Sequence, residues 1–180
     1  MPRLVQTLPG YVATVVSGEM VQENGTATGF DAVTGALTRI DIRGEGGQTL
    51  KDKWAEGPRT YLGLQTAGFP NLFIATNTAF CNYTVCAEMI VEWIADCIRY
   101  IREKNFARIA PTPQAEEAWV EHANELATHT LLNDAKTAWF AGTNIPGKKR
   151  AILLYANSAR AYRKECAEVA AKGYEGFALQ

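Results

Sequence analysis

The stretch from residue 84 to 104 constrains this chain most. Val85, Cys86, Met89, Ile90, Trp93, Ile94, Cys97, Ile98 and Ile101 recur there at helical spacing. That periodicity predicts one long helix with a wide apolar face, which has to be covered by another layer of structure. Asn82 or Thr84 is placed to cap it. The covering layer is sought among short β-branched and apolar runs. "YVATVVS" (11–17), "LTRIDIRG" (37–44), "RTYLGL" (59–64), "LFIAT" (72–76) and "AILLYA" (151–156) all read as strands. "MVQENGT" (20–26) is too polar for a buried strand, and Asn24-Gly25 marks a turn within it. Lys51 to Trp54 reads as a linker of about one helical turn.

Two more helices follow. Thr112-Pro113 opens one, because threonine caps well and proline suits the first helical position. It carries Ala115, Ala118, Trp119, His122, Ala123 and Leu126. Another covers roughly residues 159–172 and ends at Gly173. "TNIPGKKR" (143–150) is a loop. Mixed strands and helices without a long linker give an α/β fold of α+β character: one domain from 26 to 180, preceded by a 25-residue segment containing one strand.

Composition narrows the function classes. The 180 residues carry a net charge of -1, and Lys148-Lys149-Arg150 is the longest basic run. This argues against nucleic acid or an anionic membrane as partner. No apolar run is long enough to span a bilayer, and no signal peptide is read, so the expected location is cytoplasmic. The four cysteines, Cys81, Cys86, Cys97 and Cys166, form no CxxC pair and are expected to be reduced thiols.

Each candidate site has a plainer reading. His122, Glu125 and His129 share a helix face, but the two imidazoles are two turns, about 10 Å, apart, too long for one ion; no metal is expected. Cys81 with either histidine lacks an orienting third group, and buried cysteine is the commoner state. Gly25, Gly29 and Gly35 do not have the GxGxxG spacing of a phosphate-binding turn. Lys148-Lys149-Arg150 beside Trp139-Phe140 could grip an anionic cofactor; a solvated loop with its aromatics on the core is the plainer reading.

Longer blocks carry more information. "ATGFDAVTGAL" (27–37), "IDIRG" (40–44), "LKDKWAEGPRTYLGLQTAGFPNLF" (50–73), "VEWIADCIRYIRE" (91–103), "WVEHANELA" (119–127), "AWFAGTNIPGKKR" (138–150) and "EVAAKGYEGFALQ" (168–180) together resemble the C-terminal part of Baeyer–Villiger monooxygenases, in the cyclohexanone-monooxygenase-like branch. The resemblance implies a portion of a flavin-domain sheet with flanking helices. It implies a family chemistry in which NADPH reduces FAD, a peroxyflavin forms, and a ketone becomes an ester or lactone. It puts Thr28, Gly29 and Asp31 near the hinge and the flavin. It puts Trp139 and Lys148 on a loop that folds over NADP, and Asn77, Phe80, Cys81 and Asn82 along the pocket.

There are departures. Relatives often have a Gly-Pro-rich stretch where this chain has Asn77 to Asn82, and two glycines where it has Asn157-Ser158. The family's N-terminal GxGxxG for FAD, its second glycine-rich motif for NADPH and its catalytic arginine have no counterpart here, and residues 1–25 resemble nothing in the family. The expectation is therefore a truncated relative that binds neither cofactor alone. Two alternatives stand beside it. One is a stand-alone, cofactor-independent isomerase or cyclase acting on an oxidised natural product, a small-molecule substrate. The other is a partner subunit that docks on a complete monooxygenase. In either case a homo-oligomer or a partner chain is expected to cover an exposed sheet edge. The first 25 residues discriminate: a strand from them packed on "IDIRG" or "LFIAT" would favour the stand-alone unit.

Overall fold

The computed structural model describes the chain apart from residues 1–4, 9–10, 16–19, 24–25, 31–33, 76–78, 81–82, 132–133, 135–140, 142, 144–149 and 153. For 5–30, 79–80 and 83 it describes the backbone alone. Its architecture mixes helix and strand, as expected for an α/β portion of a flavin-domain fold.

Four short strands come first: β1 (Val5–Leu8), β2 (Tyr11–Val15), β3 (Met20–Glu23) and β4 (Thr26–Phe30). β1 and β2 pair antiparallel, and β2 pairs in parallel with β5 (Leu72–Ala75). The register is regular, with Val12 opposite Leu72 and Val15 opposite Ala75. "YVATV" therefore packs on "LFIA". The polar run does form strands: β3 and β4 make an antiparallel pair of their own. A two-stranded ribbon can remain half solvated, so polarity does not preclude it.

"LTRIDIRG" is not a strand. α1 (Gly35–Thr38) takes its start, and Arg43 makes only an isolated bridge to Thr49. Leu37 is fully buried, and the Thr38 amide donates to the Thr34 carbonyl at 2.9 Å, closing a helical turn in place of the expected extended run. α2 (Leu50–Lys53) follows, capped by Thr49, whose hydroxyl accepts from the Asp52 amide.

"RTYLGL" is likewise a turn. Leu62 and Gly63 both have left-handed backbone, φ 56° and 70°. That geometry reverses the chain so that Tyr61 pairs with Gln65. A left-handed leucine is costly, and the Tyr162 hydroxyl holds it by donating to the Leu62 carbonyl at 2.6 Å. Leu64 then lies beside β5, its carbonyl accepting from the Ile74 amide.

The helical layer matches expectation closely. α3 (Tyr83–Glu103) is the long amphipathic helix. α4 (Pro113–Thr128) starts at the Thr112 cap, and α5 (Ala159–Ala171) ends ahead of left-handed Gly173. β6 (Ala79–Phe80) pairs in parallel with β8 (Tyr155–Ser158), so the last apolar run is strand only from Tyr155 onward. β7 (Ile109–Pro111) pairs antiparallel with β9 (Phe177–Leu179).

Two cores result. The larger packs α3 against α4, α5 and the C-terminal segment, through Ile90, Ile94, Ile101, Trp119, Tyr155, Tyr162 and Phe177 among others. The smaller gathers Leu37, Leu50, Trp54, Phe69, Leu72 and Ile74. β5 joins them, because its alternating side chains send Phe73 to one and Leu72 and Ile74 to the other. Gly44 sits where a second backbone segment approaches closely; a Cβ there would lie 2.3 Å from the Gly68 carbonyl oxygen.

The cysteines differ from expectation. Cys97 and Cys166 are free and buried, but Cys86 is disulfide-bonded, so the four are not all reduced thiols. Among the described residues no helix is long and apolar enough to cross a membrane.

Candidate functional site

The residues proposed from sequence fall in different places. Thr28 and Gly29 lie within β4, in the hairpin with β3. Phe80 lies in β6, in register with Ser158 of β8. The two belong to separate sheets. Asp31, Asn77, Cys81, Asn82, Trp139 and Lys148 lie outside the described residues. Among the residues described, no three or more His, Cys, Asp or Glu side chains gather as a metal site would need.

Phe80 thus becomes the entry to a cluster that sequence reading did not assemble. Its partner strand carries Tyr155, whose side chain is almost wholly buried. The Trp119 ring from α4 stacks on it, centroids 5.6 Å apart and planes 9° apart. His122, one turn further along α4, meets both rings at about 6 Å. Tyr162 of α5 closes the group at 5.5 Å from Tyr155. Helical spacing puts Trp119 and His122 on one face of α4, and Tyr162 and Glu165 on one face of α5.

Glu165 ties the cluster together. Tyr155 donates its hydroxyl to Glu165 Oε1 at 2.5 Å, and Glu165 Oε2 faces His122 Nε2 at 3.4 Å. Burial, then the bond to Glu165, then the carboxylate's charge all push the Tyr155 phenol well above its ordinary value. It therefore stays protonated, as a donor. His122 and Glu165 keep 41% and 33% of their side chains accessible, so the cluster has a buried aromatic base and a polar, wetted edge. The arrangement can hold β8, and through it β6, in a fixed position. It can also present an imidazole–carboxylate pair to solvent. His122 is read from sequence as a metal ligand or as a partner of Cys81, neither favoured, and Glu165 carries no signal, because its partners lie on other elements.

A second polar node lies across α4. Glu116 is 3% exposed and accepts from Thr66 Oγ1 at 2.9 Å, the Ala67 amide at 2.8 Å and Lys53 Nζ at 2.8 Å, with Arg59 Nε 3.8 Å away. Arg59 also bonds Glu117. This carboxylate fixes the segment between α2 and β5 onto the start of α4.

Do the described residues fit a dinucleotide? Such a site needs a glycine-rich strand–helix turn whose free amides meet the pyrophosphate. The two described junctions of that type are β7–α4 and β8–α5. Each is closed by its own cap: the Thr112 hydroxyl accepts from the Ala115 amide and the Ser158 hydroxyl from the Ala161 amide. Neither contains glycine. The described part of this chain does not supply the phosphate cradle of FAD.

No family profile matches the chain. Individual relatives do. The chain is 48% identical over 158 residues to acetone monooxygenase (methyl acetate-forming) of Gordonia sp. (strain TY-5), covering 85% of this chain and 30% of that protein. It is 43% identical over 150 residues to a Baeyer–Villiger monooxygenase of Pseudooceanicola batsensis, covering 82% and 27%. Against cyclohexanone 1,2-monooxygenase of Acinetobacter sp it is 40% identical over 156 residues, covering 86% and 28%. In structure it matches the closed form of cyclohexanone monooxygenase with a TM-score of 0.81 at 45% identity, over 86% of this chain and 29% of that one. The chain belongs to the Baeyer–Villiger monooxygenase family and corresponds to the C-terminal part of its members. It spans about 30% of the length of these relatives.

Proposed function

We propose that this chain is the C-terminal part of an FAD- and NADPH-dependent monooxygenase that converts a ketone to an ester or lactone. In this reading it contributes the β6–β8 wall and the helices behind it, but neither holds the cofactors nor oxidises a ketone alone. The observation that carries the reading is the identity to the family over 85% of the chain, set beside strand–helix junctions capped by their own side chains. A partner chain supplying the dinucleotide motifs would complete the enzyme, with strand addition at β1, an edge of the sheet among the described residues, as one way to join it.

The test is the visible absorption spectrum of purified residues 1–180 before and after addition of FAD and NADPH, with size-exclusion chromatography alongside. The expected result is no bound-flavin spectrum. A flavin spectrum that survives gel filtration would overturn the reading and make the chain a redox protein in its own right.

One observation favours a second reading, a stand-alone enzyme without cofactor, such as an isomerase or cyclase. β2 lies in parallel register along β5 and β1 pairs with β2, so residues before the family-like region extend this sheet by two strands from within the chain. A colourless, monodisperse and cooperatively folding protein would support this reading. A colourless aggregate would support the first.

A further inference from the structure

On the far side of α5 from Glu165, a cleft of about 340 Å³ opens between α3 and α5. Its lining includes Met89, Trp93, Tyr162, Cys166, Ala170 and Tyr174. Trp93 and Tyr174 set its shape. Gly173 and Tyr174 are both left-handed, φ 72° and 64°. The reversal brings the Tyr174 ring to 5.3 Å from Trp93 at 72°, which makes a right-angled aromatic corner. Ala170 also lines the cleft and is too small to fill it. Non-glycine residues hold left-handed backbone only when their surroundings over-determine it.

The polar groups on the walls are already engaged. Trp93 Nε1 donates to the Cys166 carbonyl at 2.9 Å, and Tyr162 donates to Leu62. Glu92 pairs with Arg163 across the two walls at 3.4 Å, and Asp96 pairs with Arg99 at 2.7 Å. Both pairs are about two-thirds exposed and stay hydrated at the rim, so they do not reach into the aromatic corner. A charged ligand seated against Trp93 and Tyr174 would have to give up hydration there, a cost that a neutral molecule asking for no hydrogen bond does not meet. The volume lies within the range of small-molecule sites and at its lower end.

We infer that the α3–α5 cleft is a binding site for a small, neutral, ring-shaped apolar molecule, seated in the corner formed by Trp93 and Tyr174. The site shares Tyr162 with the cluster on Tyr155 of β8, and it does not depend on the flavin reading.

The test uses the full chain and toluene as probe, followed through the Trp93 indole N–H resonance, with benzoate and benzylammonium as charged counterparts. Toluene is expected to give a saturable shift, and both charged analogues to bind at least about tenfold more weakly, since each has to desolvate its charge. Ala170→Leu fills the cleft; it is expected to abolish the shift and raise Tm. Should that variant fail to fold, Ala167→Met blocks the same space from the cleft rim. No saturable shift with toluene, equal binding of the charged analogues, or unchanged binding in the filled variant would each overturn the inference.

Discussion

Two carboxylates in this molecule, Glu116 on α4 and Glu165 on α5, have opposite surroundings. Glu116 is 3% exposed and has two hydrogen bonds from the Thr66–Ala67 segment, a lysine in contact and an arginine nearby. Glu165 is a third exposed and shares itself between one phenol and one imidazole. A buried charge has to be coordinated on every side, because desolvation costs several kcal/mol that only close partners offset. A half-exposed charge is stabilised partly by water and keeps freedom to change partners. Glu116 therefore has the surroundings of a structural post, and Glu165 those of a group that can also serve a site.

The largest expected effect follows directly. Glu116→Ala leaves Lys53 without its partner and the Thr66 hydroxyl and Ala67 amide unsatisfied. It should cost about 3–5 kcal/mol in urea unfolding. Glu116→Gln keeps an acceptor for the segment and should recover part of that. If Glu116→Ala cost no more than a surface change, the distinction between the two carboxylates would fail.

The next effect concerns groups that burial keeps neutral. Burial pushes the Cys97 and Cys166 thiols from 9.0 up to about 12. Above pH 9 the unfolded chain releases these protons while the folded chain retains them. Stability from the raised values is thus fully present below pH 9 and is lost as pH rises toward 12. The slope is at most about 1.4 kcal/mol per pH unit for each thiol. Unfolding free energies measured from pH 8 to 11 should fall, and the fall should flatten in Cys97→Ala and Cys166→Ala. A pH-independent profile in the parent chain would mean that the larger core is wetter than its packing indicates.

At the other carboxylate, Glu165→Ala should cost about 1 kcal/mol, well below Glu116→Ala, because it removes one hydrogen bond and a water-screened contact. Tyr155→Phe should cost a similar amount. Combining the two should add little, since both remove the same bond. A cost for Glu165→Ala equal to that of Glu116→Ala would erase the comparison from its other end.

What sequence could and could not reveal follows the same division. Local signals were legible. The period of α3, the Thr112-Pro113 start of α4 and Gly173 after α5 each depend on neighbours within one or two turns, and each is found in place. Elements decided by distant contacts were not. "RTYLGL" has strand propensity, but Tyr162, a hundred residues on, holds it as a turn. "LTRIDIRG" alternates like a strand, yet burial of Leu37 and the backbone bond from the Thr38 amide to the Thr34 carbonyl draw its start into a helix. The cluster of Trp119, His122, Tyr155 and Glu165 was invisible for the same reason, since three elements contribute to it. Phe80 alone of the pocket candidates falls within the described residues, and its placement beside β8 is what exposes that cluster.

The smallest expected effect falls beside the segment that grips Glu116, at Gln65. It follows the Tyr61–Gly63 turn and precedes the Thr66–Ala67 grip on Glu116. Its side chain is fully buried, and neither Oε1 nor Nε2 has a hydrogen-bond partner among the described residues. Burying an amide unpaired costs free energy, and replacing it by an apolar group of similar shape removes that cost. Gln65→Met should therefore leave stability unchanged or raise it by up to about 1 kcal/mol. Most core substitutions destabilise, so a gain here would be informative. Thermal unfolding of the parent and Gln65→Met chains decides the matter. A loss above about 1 kcal/mol would show that the amide is satisfied in solution, by water or by another part of the chain, and Gln65 would then belong with Glu116 among the polar groups that hold this segment in place.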